Sequence, residues 1–239
     1  MVKHTKKISE IYEEIQKKLF NMIPEKWENL YLYASVIEED NEEKGELYFY
    51  YEPKGIFRKK IVNVYEIPSK FNINEQEYLK LVQDLYNLIK ILRKEFKKYE
   101  INETWSNVTI VIRNYKFMVE YHYEDLLNSP FSSIERHVIW RCKYLDIGIE
   151  QLNRKEKQIL KKYASGPKIL ERVEKYESGI YITGVQNEIK YDTKENEEEN
   201  ENITEIIEEK KDTEIEGKEK KKKINQIIAN IEKEEKNSN

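Results

Sequence analysis

Two alternating segments joined by only two residues place an antiparallel hairpin in the middle of this chain. Residues 108–113 and 116–123 each alternate apolar with more polar side chains, and only Asn114 and Tyr115 separate them. So short a connection predicts antiparallel strands, because parallel strands need a long crossover. One face of the pair is apolar and the other is mixed, which is typical of a sheet covered on one side.

More strand-like runs and two long amphipathic segments precede this hairpin. The runs are rich in aromatic and β-branched residues, and they cover residues 30–37, 46–51 and 60–64. Apolar residues recur at three- and four-residue spacing over residues 5–21 and 75–98, which predicts two helices. The expected fold class is therefore α+β, with an antiparallel sheet of about five strands packed with helices.

The part that follows the hairpin is predicted to be helical. Ser132 and Glu135 have the spacing of a capping box, and Asn153 and Glu156 repeat it before a second helix. The apolar stripe of the first of these helices is wide, so we expect neighbours on more than one of its sides. A further helix is expected at residues 169–176, and a short strand at residues 180–183.

The last part of the chain has a different composition. From Gln186 to Asn239 it contains 17 Asp and Glu against 11 Lys, whereas residues 1–185 contain 29 acidic and 31 basic residues. Such a segment buries too little apolar surface to offset its ordering entropy, so we expect one domain over residues 1–185 and a disordered charged tail over residues 186–239. Four isoleucines at helical spacing predict a transient or partner-induced helix within that tail: Ile224, Ile227, Ile228 and Ile231.

Charge and cysteine usage indicate the compartment and exclude some partners. The nearly neutral residues 1–185 do not suggest a nucleic-acid binder. Cys142 is the single cysteine, so it cannot form an internal disulfide, and we expect a buried structural thiol in a reducing compartment. Residues 1–20 lack the apolar core of a signal peptide, and the apolar runs are too short to cross a membrane. We therefore expect the chain to stay in the cytoplasm.

The sequence carries no recognisable catalytic or cofactor motif. His122 and His137 could approach each other, but they lack the close spacing of a metal site. The paired carboxylates Glu124 and Asp125 could do acid–base chemistry, although such pairs more often solvate the end of a strand. The glycines form no phosphate-binding loop, and no serine lies in a nucleophile elbow. We expect no enzymatic activity and no cofactor.

Two segments could form recognition surfaces. In the aromatic run 48–51 alternate residues should face the core, which we favour over a stacking platform for single-stranded nucleic acid. The segment 38–43 carries five carboxylates in six residues. It is either a solvated loop or an anionic projection that meets a basic partner, such as the cleft of a nuclease.

Taken in order, four landmarks resemble the YezG family of bacterial immunity proteins, over roughly residues 5–165. They are Ile23-Pro24-Glu25-Lys26-Trp27, the aromatic run from Gly45 to Tyr51, the segment from Phe117 to Asp125, and Glu135-Arg136-His137-Val138-Ile139-Trp140. Cys142 departs from the pattern, in which an aromatic or polar residue is expected. The charged tail lies outside the resemblance.

The resemblance implies an antitoxin that binds and neutralises a cognate polymorphic nuclease toxin by a stoichiometric protein–protein interface. It does not identify the residues that touch the toxin. From their chemistry, we expect the acidic segment, the end of the hairpin and one helix face to do so: Glu38, Glu39, Asp40, Glu42, Glu43, Glu124, Asp125, Arg136 and Trp140. The alternative is a non-enzymatic adaptor whose charged tail recruits another partner.

Overall fold

The computed structural model describes residues 5–39, 42–55, 60–99, 104–114, 116–145, 147–166, 172–179, 224–231 and 233. The chain divides into two compact units. The first comprises Met1–Asn128 and Glu171–Asp192, and the second comprises Ser129–Leu170 and Thr193–Asn239.

The first unit is built on an antiparallel sheet. Its strands are β1 (Trp27–Ser35), β4 (Leu47–Pro53), β5 (Val62–Asn63), β6 (Asn107–Arg113), β7 (Lys116–His122) and β8 (Val173–Gly179), and a separate two-stranded ribbon consists of β2 (Ile37–Glu39) and β3 (Glu42–Lys44). The strand order in the sheet is β5-β4-β1-β6-β7-β8, and every neighbouring pair is antiparallel. The predicted α+β class with an antiparallel sheet is confirmed.

Three helices accompany this sheet: α1 (Lys6–Asn21), α2 (Ile67–Phe71) and α3 (Glu75–Lys97). Thr5 and Asn74 cap α1 and α3 by accepting hydrogen bonds from backbone N–H groups of the first turn. The apolar stripes of α1 and α3 join one face of the sheet in a single core. The periodicity over residues 75–98 predicts a buried stripe of Tyr78, Leu81, Val82, Leu85, Leu88, Ile89, Leu92 and Phe96, and all of these are buried except Leu81, which is 41% exposed.

Alternation along the strands explains which side chains enter that core. Leu30, Leu32 and Ala34 of β1 belong to it, as do Phe49 and Tyr51 of β4. The tyrosines between them lie on the opposite face, where Tyr33 and Tyr48 are cross-strand partners with rings stacked 5.3 Å apart. The side chains of residues 48–51 therefore lie alternately on the two faces of the sheet.

The structure contains more β-strand than the sequence analysis predicts. The sheet has six strands rather than about five, because β8 pairs along the whole of β7. Residues 173–176 were predicted to be helical and are extended instead, since pairing with β7 and stacking of Tyr176 on Tyr12 at 4.7 Å outweigh local propensity. The acidic segment predicted as a loop forms β2 and β3, and the helix α2 was not predicted. The strand expected at residues 180–183 lies outside the described residues.

The second unit contains α4 (Ser133–Tyr144), α5 (Arg154–Ser165) and a helical stretch over residues 224–231. Both predicted capping boxes are present, with Ser132 and Glu135 on α4 and Asn153 and Glu156 on α5. The spacing of Ile134, Val138, Cys142 and Leu145 predicts one apolar side of α4, and all are buried except Ile134, which is 74% exposed.

The same capping glutamates tie the two helices together. Glu135 Oε1 lies 3.0 Å from Lys162 Nζ on α5, and Glu156 Oε1 lies 3.0 Å from an Arg141 guanidinium nitrogen on α4. Each glutamate therefore serves its own helix start and the neighbouring helix. Hydrogen bonds from the backbone N–H of Ser132 and from Lys162 lower the pKa of Glu135, which favours the charged form that both contacts need.

Candidate functional site

The acidic segment forms a β-ribbon that projects four described carboxylates. Residues 37–39 and 42–44, hereafter the acidic ribbon, pair in the register Ile37↔Lys44, Glu38↔Glu43 and Glu39↔Glu42. Directly opposed like charges destabilise a strand pair, so this ribbon needs cations nearby. Asp40, which completes the predicted set, lies outside the described residues.

Glu38 anchors the acidic ribbon to α3. Lys97 Nζ lies 2.9 and 2.6 Å from the two carboxylate oxygens, and the guanidinium of Arg93 donates a further hydrogen bond to Oε1. The nearly buried Arg93 also donates from Nε to the backbone oxygen of Trp105, at 2.9 Å. The hydrogen bonds from Lys97 and Arg93 lower the pKa of Glu38. Glu38 is thus engaged inside the molecule.

The other three described carboxylates of the ribbon divide into two kinds. Glu43 lies 3.3 Å from Lys94 of α3, and its side chain is only 21% exposed. Glu39 and Glu42 share the ammonium of Lys44, at 3.3 and 3.9 Å, and the Glu42 side chain is 74% exposed. An exposed pair of this kind contributes little to stability, so Glu39 and Glu42 can exchange Lys44 for a cation of a partner at low cost.

The carboxylates at the end of β7 already have structural contacts. Asp125 accepts hydrogen bonds from the side chain and the backbone N–H of Asn128, at 2.7 and 3.1 Å, and these bonds lower its pKa. Glu124 lies 3.8 Å from Nδ1 of His122, and Glu120 lies 3.4 Å from Lys175. Asp125 thus closes a turn, while Glu124 belongs to a charged cluster on β7 and β8.

The two predicted residues of α4 differ from the ribbon residues in exposure. Trp140 is only 5% exposed, and its ring stacks on that of Tyr144 with centroids 5.5 Å apart. Arg136 is partly buried and donates a hydrogen bond to the backbone oxygen of Phe131 at 2.9 Å. The side chains of Trp140 and Arg136 are therefore less exposed than those of Glu39 and Glu42.

Sequence reasoning missed the role of Glu25, in the first of the four landmarks. Tyr51 Oη donates to Glu25 Oε1 at 2.5 Å, and Lys70 of α2 donates to the same oxygen. Burial acts to raise the pKa of Glu25, but these two hydrogen bonds hold it below its ordinary value. The only signal in the sequence was that Glu25 lies in this landmark, directly after Pro24.

The tyrosines of the aromatic run 48–51 have contacts within the protein. Tyr50 is buried, and the hydroxyl of Tyr48 donates to Glu46 Oε2 at 2.5 Å. Of the two histidines considered for a metal, His122 belongs to the first unit and His137 to the second. Among the described residues no group of three or more His, Cys, Asp or Glu could hold a metal ion, and none of the described helices has the length and apolarity to span a membrane.

An antiparallel sheet and two long helices that share one core, with an acidic ribbon paired to α3, define an α+β protein. The chain belongs to the family of YezG-like immunity proteins, whose model matches residues 8–159. The family resemblance drawn from the four landmarks is therefore confirmed.

Curated relatives agree with this assignment. The chain is 33% identical over 144 residues to immunity protein YezG of Bacillus spizizenii, a match that covers 60% of this chain and 85% of the relative. It is 30% identical over 150 residues to immunity protein YezG of Bacillus subtilis, covering 62% and 95%. It is 34% identical over 145 residues to the type VII secretion system protein EsaG of Staphylococcus aureus, covering 60% and 83%.

Proposed function

We propose that this immunity protein neutralises a cognate nuclease toxin in the cytoplasm by forming a stoichiometric complex, without turnover and without binding nucleic acid itself. The observation that carries the proposal is the family match over residues 8–159, which includes strands β1 to β7, with the acidic ribbon among them, and α4. An inhibitor of this kind needs a rigid surface and no active site.

The acidic ribbon is the part of the surface best suited to first contact. Glu38 and Glu43 hold it to Arg93, Lys94 and Lys97 of α3, so its orientation is set before any partner arrives. Preorganisation of this kind reduces the entropy that binding must overcome.

Glu39 and Glu42 supply the negative charge that a nuclease cleft would attract. A cleft that binds phosphates is positively charged, and opposite charge across an interface accelerates association. Four cations offset the negative charge of the described ribbon carboxylates: Lys44, Arg93, Lys94 and Lys97. Electrostatic steering should therefore act over a short range and depend on Glu39, Glu42 and Asp40. We assign a smaller role in binding to the remaining predicted residues, Glu124, Asp125, Arg136 and Trp140. The first three have contacts within the protein, and Trp140 is buried.

The decisive experiment is a titration of purified protein into a DNA-cleavage assay with the toxin domain encoded beside its gene. Stoichiometric inhibition predicts that cleavage falls linearly and stops near a ratio of one to one. Full nuclease activity at a several-fold excess of this protein would refute the proposal for that pair. Inhibition far below equivalence would instead indicate an enzyme that inactivates the toxin.

The adaptor alternative makes a different prediction in the same assay. If the tail recruits the partner, removal of residues 186–239 abolishes the complex. If the immunity surface lies within residues 8–159, the shortened chain still inhibits at equivalence.

A further inference from the structure

The described part of the charged tail forms a helix with one buried side and one exposed side. Residues 224–231 are helical, and three of their isoleucines are buried: Ile224 is 2%, Ile227 8% and Ile231 1% exposed. Asn225, Gln226, Ala229 and Asn230 are exposed. Spacings of three and four residues put the three isoleucines on one side of the helix.

A helix this short cannot account for that burial by itself. Isolated helices shorter than about 12 residues are marginal in water, and most helical stability in proteins comes from packing of an apolar face. The compact unit to which these residues belong also contains α4 and α5. Two 12-residue helices offer little volume in which to enclose a core, yet Cys142 and Leu160 are completely buried.

We propose that residues 224–231 act as a tethered third helix of the α4–α5 unit, docking their isoleucine face on it within the same molecule. The surface so covered is one that accepts an amphipathic helix with aliphatic residues at positions i, i+3 and i+7. This device is an addition to the family fold, because the family match ends at residue 159. This proposal does not depend on the identity of the toxin or on whether the toxin is a nuclease.

Docking within one chain is favoured over docking between copies. Residues 180–223 connect the helix to β8, so its return to the α4–α5 unit is intramolecular and independent of protein concentration. The buried face carries no charged residue, so the contact is apolar and should be insensitive to salt.

The test is hydrogen exchange on the full-length chain, comparing the natural sequence with Ile227→Asp and with the matched control Ala229→Asp. Both variants place one carboxylate in the same helix, but only the first places it on the buried face. We expect Ile227→Asp to accelerate exchange by at least about tenfold in residues 224–231 and to speed exchange in α4 and α5. Ala229→Asp should leave both regions close to natural protection.

The amides of β1, β4 and β6 report whether either variant disturbs the first unit, and they should not change. Exchange of residues 224–231 at random-coil rates in the natural chain would overturn the proposal. So would loss of protection confined to residues 224–231, with α4 and α5 unaffected. Protection that rises with protein concentration, together with a dimer mass in light scattering, would assign the docking to a second copy and refute the intramolecular form. Ile224→Asp repeats the test at an independent position.

Discussion

The ammonium of Lys97 lies within hydrogen-bonding distance of both carboxylate oxygens of Glu38, at 2.9 and 2.6 Å. Through this contact Glu38 anchors the acidic ribbon to α3. The five carboxylates of residues 38–43 are therefore not equivalent, and variants within that segment should separate into two classes.

Replacement of Glu38 should loosen the acidic ribbon. Glu38→Gln removes the charge that Arg93 and Lys97 share, and because the site is partly exposed we expect a loss of about 1 kcal/mol in the free energy of unfolding. Glu39→Gln is the matched control, with an expected change within about 0.5 kcal/mol. Urea unfolding measures both variants. Equal effects would show that Glu38 does not anchor the ribbon.

Charge reversal at Glu39 and Glu42 should affect association with the toxin and leave the stability of the protein unchanged. Glu39→Lys with Glu42→Lys should slow binding of the toxin, most strongly at low salt, because the steering charge is inverted. Glu14→Lys with Glu28→Lys changes the net charge equally at exposed positions outside the ribbon. Stopped-flow kinetics over a salt series compares the two. Identical association rate constants for both double variants would contradict a role of the acidic ribbon in binding the toxin.

Stability should decrease in acid partly through Glu25. Its pKa in the folded protein lies below the ordinary value of 4.5, so its contribution is present above that value and is lost as pH falls through the folded pKa. Glu25→Gln should therefore lower stability at pH 7 and flatten the loss of stability below about pH 4.5. Melting temperatures from pH 3 to 7 measure this, with Glu14→Gln as the substitution control. An unchanged slope in Glu25→Gln would contradict the assignment.

Gly45 should not tolerate a side chain. A Cβ at this position would overlap the backbone oxygen of Ser35 and the hydroxyl of Tyr86, which donates to that same oxygen at 2.9 Å. Because backbone cannot yield easily, Gly45→Ala should cost about 3 kcal/mol. Gly55→Ala meets nothing within 4 Å and should change stability by less than about 0.5 kcal/mol. Thermal or urea unfolding distinguishes them, and a tolerated Gly45→Ala would refute the close approach.

The features that sequence predicted well are those with local causes. Spacing alone identified α1, α3, both capping boxes and the hairpin at Asn114, whose φ of 52° suits the left-handed region. The misses have non-local causes. β8 depends on the free edge of β7, and the anchoring of Glu38 depends on Arg93, 55 positions away. Glu25 similarly depends on Tyr51 and Lys70, which only the fold brings together.

The candidate site shows the same division. The charge pattern singled out residues 38–43, but it could not tell which of the described carboxylates contact α3. Nor could it reveal that Trp140 is buried, because an aromatic residue on a wide apolar stripe can face either side.

The position of β8 has a practical consequence for aggregation. It lies beyond the family match, yet it pairs with β7 from Lys116↔Gly179 to His122↔Val173 and brings Tyr176 onto Tyr12. A fragment trimmed at residue 159 would leave the backbone N–H and C=O groups along one side of β7 without those partners. β8 is the last strand in the sheet order, but it carries the charged residues Glu174, Lys175 and Glu177, which discourage pairing with another chain. The edge of β7 exposed without β8 would be a template for strand exchange and fibril-like association, so this short segment protects the sheet from aggregation.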